Sequence, residues 1–510
     1  MLTQQGAANA SSGKATRREW VGLAVLALPC VLYAMDLTVL NLAIPALTTD
    51  LTPTAAQLLW IVDIYGFLAA GALLIMGTLG DRIGRRKLLL IGSAAFGVVS
   101  FMAAFSRTAQ MLIVARGLLG IAGATMAPST LSLISNMFRD EREKTFAVSV
   151  WVSSFSFGGA IGPVVGGILI THFWWGAVFL APIPIMVILL IVGPRLLPEH
   201  RRAKDGRIDI FSAILTLATV LPIIFAIKQM AEGGDARLAG LAAVAGVICG
   251  VVFVQRQLTL DDPLLDLRLF RLPALSVALS INALDFLVGF GILLLVAQYL
   301  QLVLDLTPLE AGLWGVPPGL GFVVGSLLTS ALLKVLRPAL VLGAGLLLGA
   351  AGLVLMAHAV EAHSLILITL GNTMFAVGSA PGTAIVADFV VSSAPEDQSG
   401  AASALSETVS EFGGALGIAL LGSLTTFVYR HALVSAMPDN IPARTAETAL
   451  RGIGAASTVA TRVAGGSDLL SAAQHAYTSA TGLAFIASAG ITIVTAMVAV
   501  TIFNTRRSHS

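Results

Sequence analysis

The sequence predicts an all-α integral membrane protein, and three observations carry that prediction. Of 510 residues, 56% are apolar and only 11% charged, against about 25% charged in soluble domains. Runs of about 20 mostly apolar residues, the length that crosses a bilayer, recur from end to end. Most Arg and Lys fall in the gaps between those runs. Fourteen runs qualify: 20–47, 57–80, 88–105, 110–134, 146–170, 174–192, 210–228, 238–254, 274–304, 311–333, 339–357, 365–391, 399–429 and 482–503.

Charge sets the orientation, because Arg and Lys are enriched on the cytoplasmic side. With the N-terminus inside, the inner segments hold 22 of the 30 Arg and Lys and the outer segments seven, Lys228 among them. Arg116 lies within a span. Both termini are then cytoplasmic, 1–19 and 506–510. A twelve-span arrangement without the pair at 210–254 keeps the same orientation, so charge alone leaves it open. The Ala8-Asn-Ala10 triplet precedes the first apolar run and is not placed for signal cleavage. The first span is therefore expected to stay as an anchor.

The net charge of +2 carries no footprint of nucleic acid. Cys30 and Cys249 fall inside apolar runs and read as small buried residues, so neither a disulfide nor a metal site is expected. No cofactor motif, phosphate loop, H-E-x-x-H or long soluble domain is visible, so an enzyme reading lacks a constellation to stand on.

The chain echoes itself. Phe157-Gly-Gly-Ala-Ile-Gly-Pro163 in the fifth span matches Phe412-Gly-Gly-Ala-Leu-Gly-Ile418 in the thirteenth, 255 residues on, and Gly123-Ala matches Gly378-Ser at the same offset. Parallel repeats of six helices give that pattern, although Gly/Ala-rich helices can also match by chance. The predicted organisation is a bundle of six spans over 20–195, a linker and inserted pair over 196–256, and a second bundle over 257–505. A long outer segment, 431–479, interrupts the second bundle. Its spacing of Ala446, Leu450, Ile453 and Ala456 suits a short amphipathic helix. It reads equally as a cap on a pore mouth and as a tolerated insertion.

Ionisable groups inside spans are costly, and by default they mark function. Six stand out: Asp36, Asp63, Arg116, Asp285, Glu407 and Glu411. Glu407 and Glu411 are four apart on one helix face, where Val152 and Ser156 stand in the first half. Two carboxylates so close in a low-dielectric medium cannot easily both be ionised. That suits groups that exchange a proton for a cation. Counting the rise of each helix puts Asp36 and Arg116 at similar depth. They are expected to pair, either as a coupling device or as a structural ion pair. Trp60, Tyr65, Phe286, Phe290, Trp314 and Phe412 lie near the acids, and aromatic faces attract cations. About a third of these rings are expected to line a cavity.

Two stretches carry a family resemblance. Gly77-Thr-Leu-Gly80-Asp81-Arg82-Ile-Gly84-Arg85-Arg86-Lys87 resembles the G-x-L-x-D-R-x-G-R-R loop signature of the major facilitator superfamily. Gly158-Gly-Ala-Ile-Gly162-Pro163-Val-Val-Gly166-Gly167 resembles the G-x-x-x-G-P-x-x-G-G signature of its antiporters, though such glycines also serve ordinary helix packing. Taken whole, the chain resembles the fourteen-helix drug:proton antiporters, nearest to the quaternary-ammonium and methyl-viologen efflux pumps.

That resemblance implies two six-helix bundles plus two inserted helices in a bacterial cytoplasmic membrane, and a monomer. It implies export of lipophilic mono- and divalent cations, such as dyes, biguanides and quaternary ammonium biocides, against inward proton flow. It implies proton coupling through Asp36, Asp63 and Arg116, and substrate contact through Asp285, Glu407, Glu411 and the aromatics named above. It further implies gating through Gly77, Asp81, Arg82, Gly84, Arg85, Arg86, Gly158, Gly162, Pro163, Gly166 and Gly167. The basic loop signature has no clear second copy near Lys334 and Arg337, and relatives place the Asp285 acid in a neighbouring span. A facilitator for a metabolite or another small solute is the alternative, but an anion site wants basic groups and Arg116 is the one the spans offer.

Overall fold

The computed structural model describes residues 14–138, 140–199, 209–231, 233–260, 263, 273–393 and 399–505. Eighteen α-helices are labelled in chain order. α1 is Arg17–Leu51, α2 Ala55–Ile83, α3 Arg85–Ala104, α4 Ala109–Gly123, α5 Met126–Met137 and α6 Glu141–His172. α7 is Pro182–Leu196, α8 Ile210–Ala231, α9 Ala236–Thr259, α10 Pro273–Leu302, α11 Pro308–Trp314 and α12 Val316–Leu332. α13 is Pro338–Glu361, α14 Leu365–Ser393, α15 Ser399–Ser435, α16 Ala443–Ala449, α17 Ile453–Ala460 and α18 Gly466–Thr505.

Among the described residues, fourteen helical segments are long and apolar enough to cross a membrane. The fourth joins α4 to α5, and the tenth joins α11 to α12 at Gly315. Helix ends are set locally. Thr54 and Gln57 form a reciprocal capping box at the start of α2, and Thr307 and Glu310 form one at α11. Gly84 has φ +108°, a conformation that side chains rarely adopt, and it permits the turn from α2 into α3.

The turn at 82–87 carries Arg82, Arg85, Arg86 and Lys87 and marks the basic end of the bundle. The expected echo appears as repeated packing. On α6, Gly158 sits against the backbone of Val31, Gly162 against Met35 and Gly166 against Val39, all on α1. On α15, Gly413 sits against Ala283 and Gly417 against Leu287, both on α10. In each half one glycine stripe lets two helices meet backbone to backbone.

The hairpin of α8 and α9 packs on itself, with Gly246 against the Thr219 carbonyl. α8 also packs on α2 and α15, one helix from each half. Residues of all three share one apolar cluster, Phe67, Ile224 and Ala415 among them. α9 buries only Ala239, Gly246 and Gln257. At the base of the hairpin, Arg256 pairs with Asp209 at 3.1 Å, and Ser212 donates to the same carboxylate. Partial burial opposes the charged form of Asp209. The Ser212 hydroxyl and amide and the Arg256 guanidinium outweigh it and hold the carboxyl below its usual range.

The segment expected as a loop over 431–479 is largely helical. α15 continues to Ser435 and α18 starts at Gly466. The single amphipathic helix expected between them is two, α16 and α17, broken where Gly452 takes φ +146°. Its apolar face is buried: Ala449, Ile453 and Ala456 are shielded, and the Tyr429 hydroxyl donates to the Ala449 carbonyl at 3.0 Å. α17 also reaches α1, where Gly454 lies against Thr48.

Candidate transport site

Charged side chains from α1, α2, α4, α8 and α15 converge between the two halves. Arg116 is 1% exposed, and its Nη1 lies 2.6 Å from Asp36 Oδ2. Its Nε donates to the Ile61 carbonyl at 3.2 Å, and the guanidinium stacks 4.5 Å over the Tyr65 ring. The fork is thus held by a carboxylate, a carbonyl and an aromatic face. That arrangement keeps a charge tolerable away from water.

Tyr33, one turn before Asp36, donates to Glu411 Oε1 at 2.6 Å, so α1 and α15 are bonded across the two halves. Its ring lies 5.9 Å from that of Tyr65. Asp63 pairs with Lys228 of α8, whose Nζ is 2.8 Å from Oδ2 and 3.9 Å from the centre of the Trp60 ring. A void of about 20 Å³, room for one water, is lined by Asp63, Arg116, Glu411 and Phe290.

A second, larger cavity of about 340 Å³ lies between α1 and α6 on one side and α10, α12 and α14 on the other. Asp285 is its acid and faces Gly382. Among the described residues, no basic side chain lines it. Phe286, Phe290 and Trp314 form its aromatic wall, with Phe322 and Phe375 beside them. The Phe286 and Phe290 rings are stacked 6.1 Å apart. Phe290 lines both voids, so one ring separates the Asp285 cavity from the paired cluster.

The other expected aromatics lie elsewhere. Trp60 and Phe412 pack against the apolar face of α8, and Tyr65 is buried under Arg116. Glu407 is half-buried, one turn nearer the basic end than Glu411, on the side of Cys30 and Tyr33.

At the end opposite the basic turn, the cavity is closed by α6 and α11. Gly167 abuts Pro308 and Leu309, and the Pro163 carbonyl abuts Gly312. The α6 signature therefore has two faces, with Gly158, Gly162 and Gly166 on α1 and Pro163 and Gly167 on the other half. At the basic end, Arg86 reaches Glu199 at 3.4 Å and the Leu197 carbonyl at 2.9 Å. Arg85 donates to the Pro128 carbonyl, and Gly80 lies beneath its side chain. Gly84 lies against the Glu199 carboxylate, whereas Gly77 has open space beside it and Arg82 is half-buried. The side chain of Asp81 lies outside the described residues.

The structure corrects the placement of Lys228: instead of an outer charge it is buried within α8, 1% exposed. A lysine near the end of an apolar run ordinarily extends its amine to the interface. The available signal was arithmetic: five acids within spans faced one base, and Asp63 lacked a partner.

A model described as Major Facilitator Superfamily matches residues 26–418. The chain belongs to that superfamily. Its fourteen spans and its repeated bundles are the facilitator architecture, and it is a transporter, not an enzyme. Among curated relatives, the chain is 40% identical to the multidrug efflux pump LfrA of Mycolicibacterium smegmatis, over 92% of this chain and 93% of that one. It is 32% identical to the methyl viologen resistance protein SmvA of Salmonella typhimurium, over 90% and 93%. Among solved structures, an inward-facing bacterial homolog of the human lysosomal transporter Spinster superposes with TM-score 0.68 at 15% identity. The match covers 96% of this facilitator and 98% of that chain. At that identity the likeness speaks for the fold alone.

Proposed function

We propose that this facilitator is a proton-coupled antiporter that exports lipophilic mono- and divalent cations across a bacterial cytoplasmic membrane, with its basic end and both termini in the cytoplasm. One observation carries the reading: a 340 Å³ cavity whose described lining has aromatic walls, one carboxylate and no basic group. Such a site attracts a flat or quaternary cation through ring faces and a low-dielectric carboxylate. Among the described lining residues an anion would find no counter-charge.

The paired cluster supplies the proton side. A proton arriving at Asp36 removes the charge that holds Arg116. The freed guanidinium then stands beside the void shared with Asp63 and Glu411. Tyr33, bonded to Glu411, carries that change from α1 to α15 across the halves. The α6–α11 contact at Pro163 and Gly167 is the gate that must part for release. Names of relatives support the substrate class, since SmvA is named for methyl viologen resistance and LfrA as a multidrug pump.

The test is uptake of ethidium or methyl viologen into inverted vesicles under an imposed proton gradient. Accumulation that collapses with the gradient is expected. No movement of any cation under that gradient defeats the reading.

A further inference from the structure

Lys228 is buried within a span, 1% exposed, and the proton path through Asp36, Arg116 and Glu411 does not use it. Lys228 stands on the inserted hairpin, outside both six-helix bundles, yet its amine reaches into the first bundle. Its surroundings repeat the chemistry of the cavity: a buried carboxylate, Asp63, beside an aromatic face, Trp60, whose centre is 3.9 Å from Nζ. Ile224 and Phe67 supply apolar walls. A carboxylate, a ring and dry walls are what a lipophilic cation wants. Here the chain itself provides the cation.

The hairpin is also poised to respond. α9 buries three residues, so α8 is the helix that ties the hairpin to the bundles, wedged against α2 and α15 together. Breaking a buried ion pair leaves an uncompensated charge, which is strongly unfavourable. Asp63 therefore needs some positive partner at every stage, whether lysine, proton or guest.

We propose that Lys228 is a chain-borne competitor that fills the Asp63–Trp60 site, so that a proton or a lipophilic cation entering it must displace the amine and loosen α8 from α2. The nature of the displacing guest rests on the cation-export reading; the occupied site does not.

Charged groups reach the pair from several helices. Asp63 comes from α2, and α4 contributes Arg116, which lines the same small void as Asp63. α15 contributes Glu411, across the small void from Asp63, and Arg430 at its far end, over Gly233. α9 contributes Arg237 in its first turn. Asp63 contacts Nζ directly, at 2.8 Å.

The test measures ethidium binding to the purified full-length protein by fluorescence polarisation between about pH 6 and about pH 9, alongside thermal stability. In Lys228→Met, Arg116 stays committed to Asp36, so Asp63 takes a proton from solution and ethidium competes with that proton instead of the lysine. Binding should then strengthen with pH by up to about tenfold per unit more than in the wild type. Lys228→Arg should keep the wild-type profile. The double variant Asp63→Asn/Lys228→Met should regain thermal stability yet lose the added pH dependence. A Lys228→Met protein that is less stable but has the wild-type binding profile makes the lysine a strut and overturns the proposal. Failure of that variant to bind ethidium at any pH overturns it too. Wild-type vesicles that move no cation defeat the export reading separately, since the binding profile is read without transport.

Discussion

The pair α1/α6 and the pair α10/α15 are built alike and loaded differently. In both, glycines at the same offset bring two helices into backbone contact: Gly158 and Gly162 in the first half, Gly413 and Gly417 in the second. The charges do not follow that symmetry. Asp36 and Arg116 have Gly291 and Gly371 at the equivalent positions, 255 residues on. Gly291 is pressed against the Gly417 carbonyl and Leu421, and Gly371 against Met356 and the Gly352 carbonyl. Conversely, Glu407 and Glu411 stand where the first half has Val152 and Ser156. A duplicated scaffold has thus kept its packing and divided its chemistry. One half holds a closed ion pair, and the other holds acids that face the gap between the halves.

The comparison can be broken most forcefully at the ion pair. Arg116→Ala leaves Asp36 buried and uncompensated and should cost about 3–5 kcal/mol, read as a large fall in melting temperature and in membrane yield. Asp36→Asn is the gentler probe. It should fold, but proton-driven accumulation should fall by about tenfold to a hundredfold, the usual range of coupling between sites. Full proton-driven transport in that variant would reduce the pair to a structural role. The shared scaffold predicts matched losses for Gly158→Val and Gly413→Val. Each forces a side chain into a facing backbone, at about 1–3 kcal/mol. Unequal losses in thermal melts would argue against equivalence.

Asp285→Asn should weaken methyl viologen binding by about tenfold and ethidium binding less, because a divalent guest depends more on the Asp285 carboxylate. Equal effects on both guests would move the divalent site toward Glu407 and Glu411. The smallest effect belongs to Asp209, outside the spans. Its carboxyl is held low, so its contribution is full above the ordinary carboxylate value of about 3.9 and fades only as pH falls through the folded value. With Arg256 about a third exposed, solvent screens the pair. Asp209→Asn should cost at most about 0.5 kcal/mol at neutral pH and nothing further in strong acid, as a pH series of melts would show.

Much of this site was legible beforehand because the bilayer makes each helix declare itself locally. A carboxylate such as Asp285 in an apolar run needs no alignment to be noticed, and helical rise alone brought Asp36 level with Arg116. The aromatics were harder. Trp60 and Phe286 look the same in sequence, each close to an acid, but Phe286 faces the cavity and Trp60 faces α8. The apolar spacing of the segment after α15 runs through Leu450 and predicts one helix, and Gly452 breaks it in two.

By itself the sequence determined the fourteen spans, the repeated glycine motif and the buried charges other than Lys228. Each follows from what hydrocarbon tolerates over one helix. Tertiary structure decided the partnerships: Lys228 with Asp63, Tyr33 with Glu411, and Phe290 as the wall between two voids. Those depend on which of fourteen similar helices lie side by side, and a rule that acts along one helix at a time carries no information about its neighbours.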